Sequence, residues 1–426
     1  MEKLLHYIWQ HKMLPISALQ TTQGETVEII DTGLPNADAG PDFFNAKIKL
    51  NNVLWVGNVE IHLRASDWFK HNHDTDPAYQ SIILHVVAEA DVTIRRTNGE
   101  EIPQLVLPIP TIMKEKYEHL IKERSHFPCE NIIQQMPALK WNTWIAALQI
   151  ERLEEKTARI QNLLRICNGN WEQTFFILLS RNFGFSVNSD AFELWAKHIS
   201  LPALAKHRDS LLCIEALFFG TSGLMNHLKK TDDYTERLRQ EYLFLVHKFS
   251  LPTPPHIPWK YLRLRPSNFP HLRIAQLACL YQRAEGLFSQ IVEERSLARV
   301  KELFRGGASV YWNTHDYFGE TIPERSRTLT DSAIDLLIIN TVIPVLYAYG
   351  LYLSDEERCK RAIEWTEALR PENNHIIRQW AGYGINIQHA GHTQAILQLH
   401  KQYCLPKKCL QCRIGYEFLR TTSLDK

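Results

Sequence analysis

The sequence predicts an α+β protein: a small mixed α/β domain over residues 1–125, followed by a large all-helical region. Three observations carry this. Up to about residue 110, β-branched and aromatic residues gather in short runs broken by Gly, Asn and Asp. From about Leu139 the apolar period lengthens to that of a helix. The stretch LPTPPHIPW, with its prolines, cannot be helix and divides the helical part into segments 139–250 and 259–426. A chain of 426 residues is too long for one ordinary domain, and 45% hydrophobic with 22% charged residues suits a packed globular core.

The strands are predicted in ETVEIIDTG, PDFFNAKIKL, VLWVGNVEIHL and SIILHVVAEADVTI. LNNV is a short turn, so the second and third should pair as an antiparallel hairpin. ASDWFKHNHDTDPAYQ reads as a loop followed by a short helix. Beyond Leu139, Trp144, Ile145, Leu148, Leu153, Ile160, Leu163 and Leu164 form one apolar face. Asn170 with Gln173 marks the start of the helix WEQTFFILLSRNF, and Gly184 its end. Leu336 to Leu353 carry no charge and reach the lower limit of a membrane span. Asn340, Thr341, Pro344 and Gly350 within them favour a buried core helix kinked at Pro344.

The net charge of +1 hides an asymmetry: residues 1–110 hold 8 Lys/Arg against 14 Asp/Glu, and the remainder hold 40 against 33. That division suits a cation site in the first part and an anionic partner, DNA or RNA, in the second. The opening MEKLLHYIWQHKMLP has polar residues through its apolar positions and no small-residue cleavage site. With 8 cysteines in the chain, a reducing, cytoplasmic setting without disulfides or a membrane is expected. No Walker-A loop, no G-x-G-x-x-G after a strand, no H-E-x-x-H and no G-x-S-x-G is present, which argues against nucleotide-driven motors and dinucleotide redox chemistry.

The segment GPDFFNAKIKLNNVLWVGNVEIH carries the chemistry. Asp42 opens one hairpin strand, while Glu60 and His62 lie two apart near the end of the next and share a face. An antiparallel hairpin returns these ends to one another. Carboxylates brought together there would be joined by Mg²⁺ or Mn²⁺, with the Ile61 carbonyl as a further ligand. Alternatively, Pro41–Asp42 is a turn device and Glu60 and His62 sit on a solvated face. Downstream, His71, His73 and Tyr79 in HNHDTDPAY are cleft candidates, and a His-x-His pair can also take a transition metal. His85 is read as either a core histidine or a residue lining the cleft.

Pro41–Asp42 followed by Glu60–Ile61–His62, in the order helix, three strands, helix, strand, resembles the PD-(D/E)xK nuclease superfamily. The resemblance implies a restriction-endonuclease-like N-terminal domain in which Asp42 and Glu60 hold the metal and His62 stands where that superfamily usually has Lys. Lys47 and Lys49 would lie on the face opposite Asp42 in an unbroken strand, so His62 is preferred. The elements GPDFFNAKI, GNVEIH, RLRPSNFP, RIAQLA and CLQC-IG also resemble, over the whole length, a bacterial family known as a domain of unknown function, which implies no activity.

Two further clusters stand out. Cys404, Cys409 and Cys412 follow a C-x4-C-x2-C spacing, which zinc or an iron–sulfur cluster would neutralise, with His400 or the distant Cys129 as fourth ligand. Cys167, Cys213, Cys279 and Cys359 are expected to pack as small apolar residues. From Leu251 to Ala284 there is no Asp or Glu, and Lys260, Arg263, Arg265, Asn268 and Arg273 stand among aromatic residues. They suit phosphate contacts and base stacking, or a structural motif of capping and ion-paired arginines. The expected function is metal-dependent hydrolysis of nucleic-acid phosphodiesters. The alternatives are a non-catalytic nucleic-acid-binding or scaffold protein with a structural metal, and a hydrolase of a small substrate using His71 and His73.

Overall fold

Runs of alternating apolar and polar residues give the first part of the chain a mixed seven-stranded sheet. The structure, a computed structural model, describes residues 1–13, 18–36, 38–122, 127–226, 228 and 230–420, with the side chain of residue 131 excepted. Two compact units are present: Met1–Trp141 with Leu399–Lys426, and Asn142–Gln398.

In the first unit the strands are β1 (Leu19–Gln20), β2 (Thr26–Asp31), β3 (Leu34–Pro35), β4 (Phe43–Leu50), β5 (Val53–Arg64), β6 (Ile82–Glu89) and β7 (Gln104–Val106). They run β1-β2-β4-β5-β6-β7, with β3 also on β4. β4 and β5 pair antiparallel from Leu50↔Val53, and Asn51 and Asn52 between them both have positive φ, 48° and 67°. That is the backbone of a two-residue hairpin turn matched to strand twist, and Asn tolerates it better than most residues. β6 runs parallel to β5, so the chain must cross back over the sheet. The crossover carries α2 (Asp67–Lys70) and a 3₁₀ turn, Pro77–Ser81.

α1 (Glu2–Gln10) buries Leu4, Leu5, Ile8 and Trp9 on one sheet face, where Phe43, Ile48, Val59, Ile61, Leu84 and Val86 meet them. Leu120 of α3 (Thr111–Lys122) and Leu419 of the C-terminal helix Arg413–Arg420 belong to the same core. Trp68, Tyr79, Ile82, Ile94 and Ile102 form a smaller cluster. Period two then sends Glu60 and His62 to the face opposite Val59 and Ile61. The strand is not unbroken, however. β4 bulges between Phe43 and Ala46, with Asn45 at φ 56°, which removes the parity premise for Lys47 and Lys49. Lys49 nonetheless stays out of the site, because its ammonium pairs with Glu28 at 3.0 Å, and Lys47 is exposed.

The second unit is mainly helical around a core that runs from Leu153 to Ala390, but it is not all-helical as expected: β8 (His315–Tyr317) and β9 (Glu320–Thr321) pair antiparallel within it. The sequence suggested a cut at the proline connector, but Ile257 lies inside this core and Leu251 and Trp259 pack against it. The connector is a wall of one unit, and the C-terminal cysteines belong to the other. The expected end of the first domain at residue 125 lies outside the described residues. α5 (Ala138–Ile166) buries the predicted face, and Arg159 pairs with Glu193 at 2.6 Å. Asn170 accepts from the Gln173 amide at 3.0 Å. Gly184 ends its helix at φ −71°, so it serves space: a Cβ there would stand 2.5 Å from the Asn188 backbone.

Among the described residues one helix, Asp331–Leu353, is apolar and long enough to cross a membrane, and 67% of its apolar window is buried in the protein. Before Pro344 it widens into a π-turn, Ile338–Val342. Proline offers no amide to the Asn340 carbonyl, and Asn182 Nδ2 donates to that oxygen at 3.0 Å. Cys213 is in the core of this unit, Cys279 is buried, and Cys167 and Cys359 pack against the core.

Candidate metal centre

The hairpin brings its two ends together as its topology requires. The Ile61 amide donates to Asp42 Oδ2 at 2.9 Å, and the Asp42 amide donates to Glu60 Oε2 at 3.1 Å. Ile61 thus enters through its N–H. Glu60 is 4% exposed, and burial followed by the Asp42 charge pushes its carboxyl up to about 9. Asp42 is also raised by burial, against which His6 acts most strongly; His6 Nε2 from α1 stands 3.4 Å from Asp42 Oδ2.

On the same sheet face the crossover lays two histidines over β5. Trp68 anchors α2 in the interior, and the His73 amide donates back to the Trp68 carbonyl at 3.1 Å. Asn72, at φ 59°, turns the chain between His71 and His73. One nitrogen each of His62, His71 and His73 lies within 4.8 Å of the other two. His62 Nε2 is 3.1 Å from His71 Nδ1 and 3.6 Å from Glu60 Oε1, and His73 Nε2 is 3.2 Å from Glu60 Oε1. Four ligands at Zn–N and Zn–O lengths of ~2.1 Å, set tetrahedrally, would stand about 3.4 Å apart. The three separations given lie within a few tenths of an ångström of that spacing, and the three imidazole nitrogens lie within 4.8 Å of one another.

His85, across from Glu60 in the β5–β6 register, places Nε2 2.9 Å from His62 Nδ1. The tautomer that donates from His62 Nδ1 leaves Nε2 bare toward His71 and Glu60, the usual support for a ligating imidazole. Burial first, then the neighbouring imidazoles, hold His62 down to about 3; burial and His71 hold His73 at about 4; burial and His73 hold His85 at about 3. The ring of His73 stacks on Tyr79 with centroids 3.7 Å apart, and burial with Glu60 raises the Tyr79 phenol to about 12. Neutral imidazoles around a carboxylate are a donor set for a cation. His71 is exposed and gives the group its opening, whereas His62 and His73 are buried.

The predicted Asp42, Glu60, His62, His71, His73, Tyr79 and His85 therefore converge. Beside Asp42 and Glu60, where the sequence leads one to expect Mg²⁺ or Mn²⁺, one nitrogen each of three imidazoles lies within 4.8 Å of the others, a donor set of the kind transition metals take. His6 was missed, since nothing in MEKLLHYIWQ marks one histidine of an amphipathic helix as facing a strand end.

In the second unit, Lys260, Arg263 and Arg265 are exposed. Arg273 is buried, donating to Gln276 Oε1 at 2.9 Å and Asn268 Oδ1 at 2.5 Å, with its guanidinium 4.3 Å from the Phe185 ring centroid. Arg273 is thus held inside the protein and is not placed as a phosphate contact, while its partner Asn268 is half-buried. His400 is buried, its ring 6.2 Å from that of Phe127. Cys129, and not His400, shares a cavity with Cys404, Cys409 and Cys412.

No curated protein and no solved structure matches the chain. Residues 2–375 match the family model described as "Protein of unknown function (DUF2851)", a span that takes in Asp42, Glu60 and the histidine group and stops before Cys404, and the chain belongs to that family.

Proposed function

We propose that this protein is a metal-dependent hydrolase of phosphodiester bonds in nucleic acid, with a transition-metal ion at His62, His71, His73 and Glu60. The observation that carries the reading is the group of three imidazole nitrogens within 4.8 Å, beside the Glu60 carboxylate. A bound ion supplies Lewis-acid polarisation of a phosphoryl oxygen and a water of lowered pKa. His85 fixes the ring of His62 through Nδ1, and Tyr79 stacks on His73 to hold its plane. Asp42, one quarter exposed and next to His6, stands at the rim where it can take a proton from the attacking water. The order of Asp42, Glu60 and His62 on an antiparallel hairpin followed by a parallel strand supports a restriction-endonuclease-like domain, with imidazole chemistry in place of lysine. The exposed Lys260, Arg263 and Arg265 supply phosphate-binding charge.

The test is cleavage of labelled single- and double-stranded DNA and RNA with Mn²⁺, Zn²⁺, Mg²⁺ or chelator, beside Asp42→Ala and Glu60→Gln. Metal-dependent cutting that falls by about 10² or more in Asp42→Ala is expected. Cutting that survives both substitutions contradicts the assignment. Metal binding and salt-sensitive nucleic-acid binding without cutting would favour the second reading, a non-catalytic binding protein with a structural metal, which the burial of His62 and His73 independently suits.

A further inference from the structure

Cys129, Cys404, Cys409 and Cys412 come from opposite ends of the chain and line one cavity, with Leu120 and Ile414 in its wall. None of the four is in a disulfide. Cys412 is buried and the other three are half-buried. The cavity wall brings thiols of two segments far apart in the sequence to one place. The backbone is shaped to the same end. A 3₁₀ turn, Cys409–Gln411, lets the Cys412 amide donate to the Cys409 carbonyl at 3.2 Å. The helix Arg413–Arg420 then starts so close that a Cβ on Gly415 would stand 2.0 Å from the Cys409 carbonyl oxygen. Only glycine fits that approach.

Four thiols from two distant segments line one half-buried cavity. As thiolates they complete a tetrahedral ligand set, while His400, the local alternative, lies outside the cavity lining. We infer that Cys129, Cys404, Cys409 and Cys412 form a second, four-thiolate metal site that binds a thiophilic centre, zinc or an iron–sulfur cluster, and ties the C-terminal segment to the sheet unit. Each thiol gives up its proton on binding, and the metal charge takes its place. The site is separate from the histidine centre, and the inference does not rest on the nuclease reading. Its tie acts beside existing contacts: the Lys116 ammonium of α3 donates to the Phe418 carbonyl at 3.2 Å, and Lys140 pairs with Glu417 at 2.8 Å.

The experiment uses the full chain, purified without oxygen from cells supplied with zinc and iron. Zinc, iron and acid-labile sulfide are measured while a mercurial titrates the thiols. About one zinc, or about four iron with about four sulfide and absorbance near 400 nm, should leave as four thiols react. Cys409→Ser should lose that metal and His71→Ala should keep it. Mercurial reaction of all the thiols with no metal released would overturn the inference, and so would an undiminished content in a folded Cys409→Ser protein. The wild-type titration decides the matter even where Cys409→Ser fails to fold.

Discussion

Both units bury ionisable side chains, and those around the histidine group are satisfied differently from several elsewhere. In the helical unit several have neutral partners, although the buried Arg327 pairs with Asp316 at 2.6 Å. Arg273 is held by Gln276 and Asn268. Lys156 donates to Asn340 Oδ1 at 3.1 Å and Gln394 Oε1 at 2.8 Å. Glu215 lies near Ser309 and Tyr234, and burial raises its carboxyl to about 7. At the histidine group of the sheet unit the buried groups face one another: Glu60 against His62 and His73, and His62 against His71 and His85. A polar group satisfied by amides and hydroxyls is a finished structural element. Imidazoles whose lone pairs converge on a carboxylate are completed by a cation. The difference teaches that burial and a shifted pKa do not mark a site; what the shifted group faces does.

The largest effect that would sharpen this contrast is at His85. Replacing it with Phe leaves the metal donors in place and removes the partner of His62 Nδ1, so metal affinity should fall by about 10–100-fold in a chelator competition. An unchanged affinity would mean that His85 is core alone. Next comes Arg273→Met in the other unit. It strands Asn268 and Gln276, and should cost about 2–4 kcal/mol in denaturant unfolding with no change in metal binding. A metal effect there would break the comparison.

A third test is pH. His271 is buried beside the Tyr261 hydroxyl, 3.4 Å from its Nδ1, and burial holds it down to about 3. The unfolded chain takes up that proton near 6.5 and the folded one does not. Its contribution is therefore fully present above about pH 6.5 and is lost as the pH falls toward 3, at up to about 1.4 kcal/mol per pH unit. His271→Phe should flatten that part of the stability profile; a profile of unchanged slope would show that other groups govern acid unfolding. The smallest effect belongs to Lys49→Met. It breaks an exposed pair with Glu28, and should shift stability by under about 1 kcal/mol and leave the histidine centre unaffected.

Much of this was legible in the residues, for reasons of range. The hairpin follows from Asn51–Asn52 between alternating runs, and its closure brings Asp42 to Glu60 and His62 through local geometry alone. His71 and His73 needed one longer step, because only a parallel β5–β6 pairing sends their segment back over the sheet. His6 was out of reach, since the packing of α1 on a distant strand end leaves no trace in its own sequence. Arg273 misled because an acid-free stretch looks like a phosphate surface, whereas its partners are neutral amides that charge counting does not see. The proline connector misled in the same way: prolines exclude helix, but they do not exclude burial of Ile257 in a shared core.

The central claim is that the converging imidazoles hold a metal, and His71 tests it most directly because it is exposed and its loss leaves no cavity. The metal content of the wild-type chain and of His71→Ala should be measured by mass spectrometry after dialysis, with circular dichroism as the control for folding. The account predicts about one ion per chain fewer in His71→Ala at an unchanged spectrum. Equal metal content in the two folded proteins would contradict it.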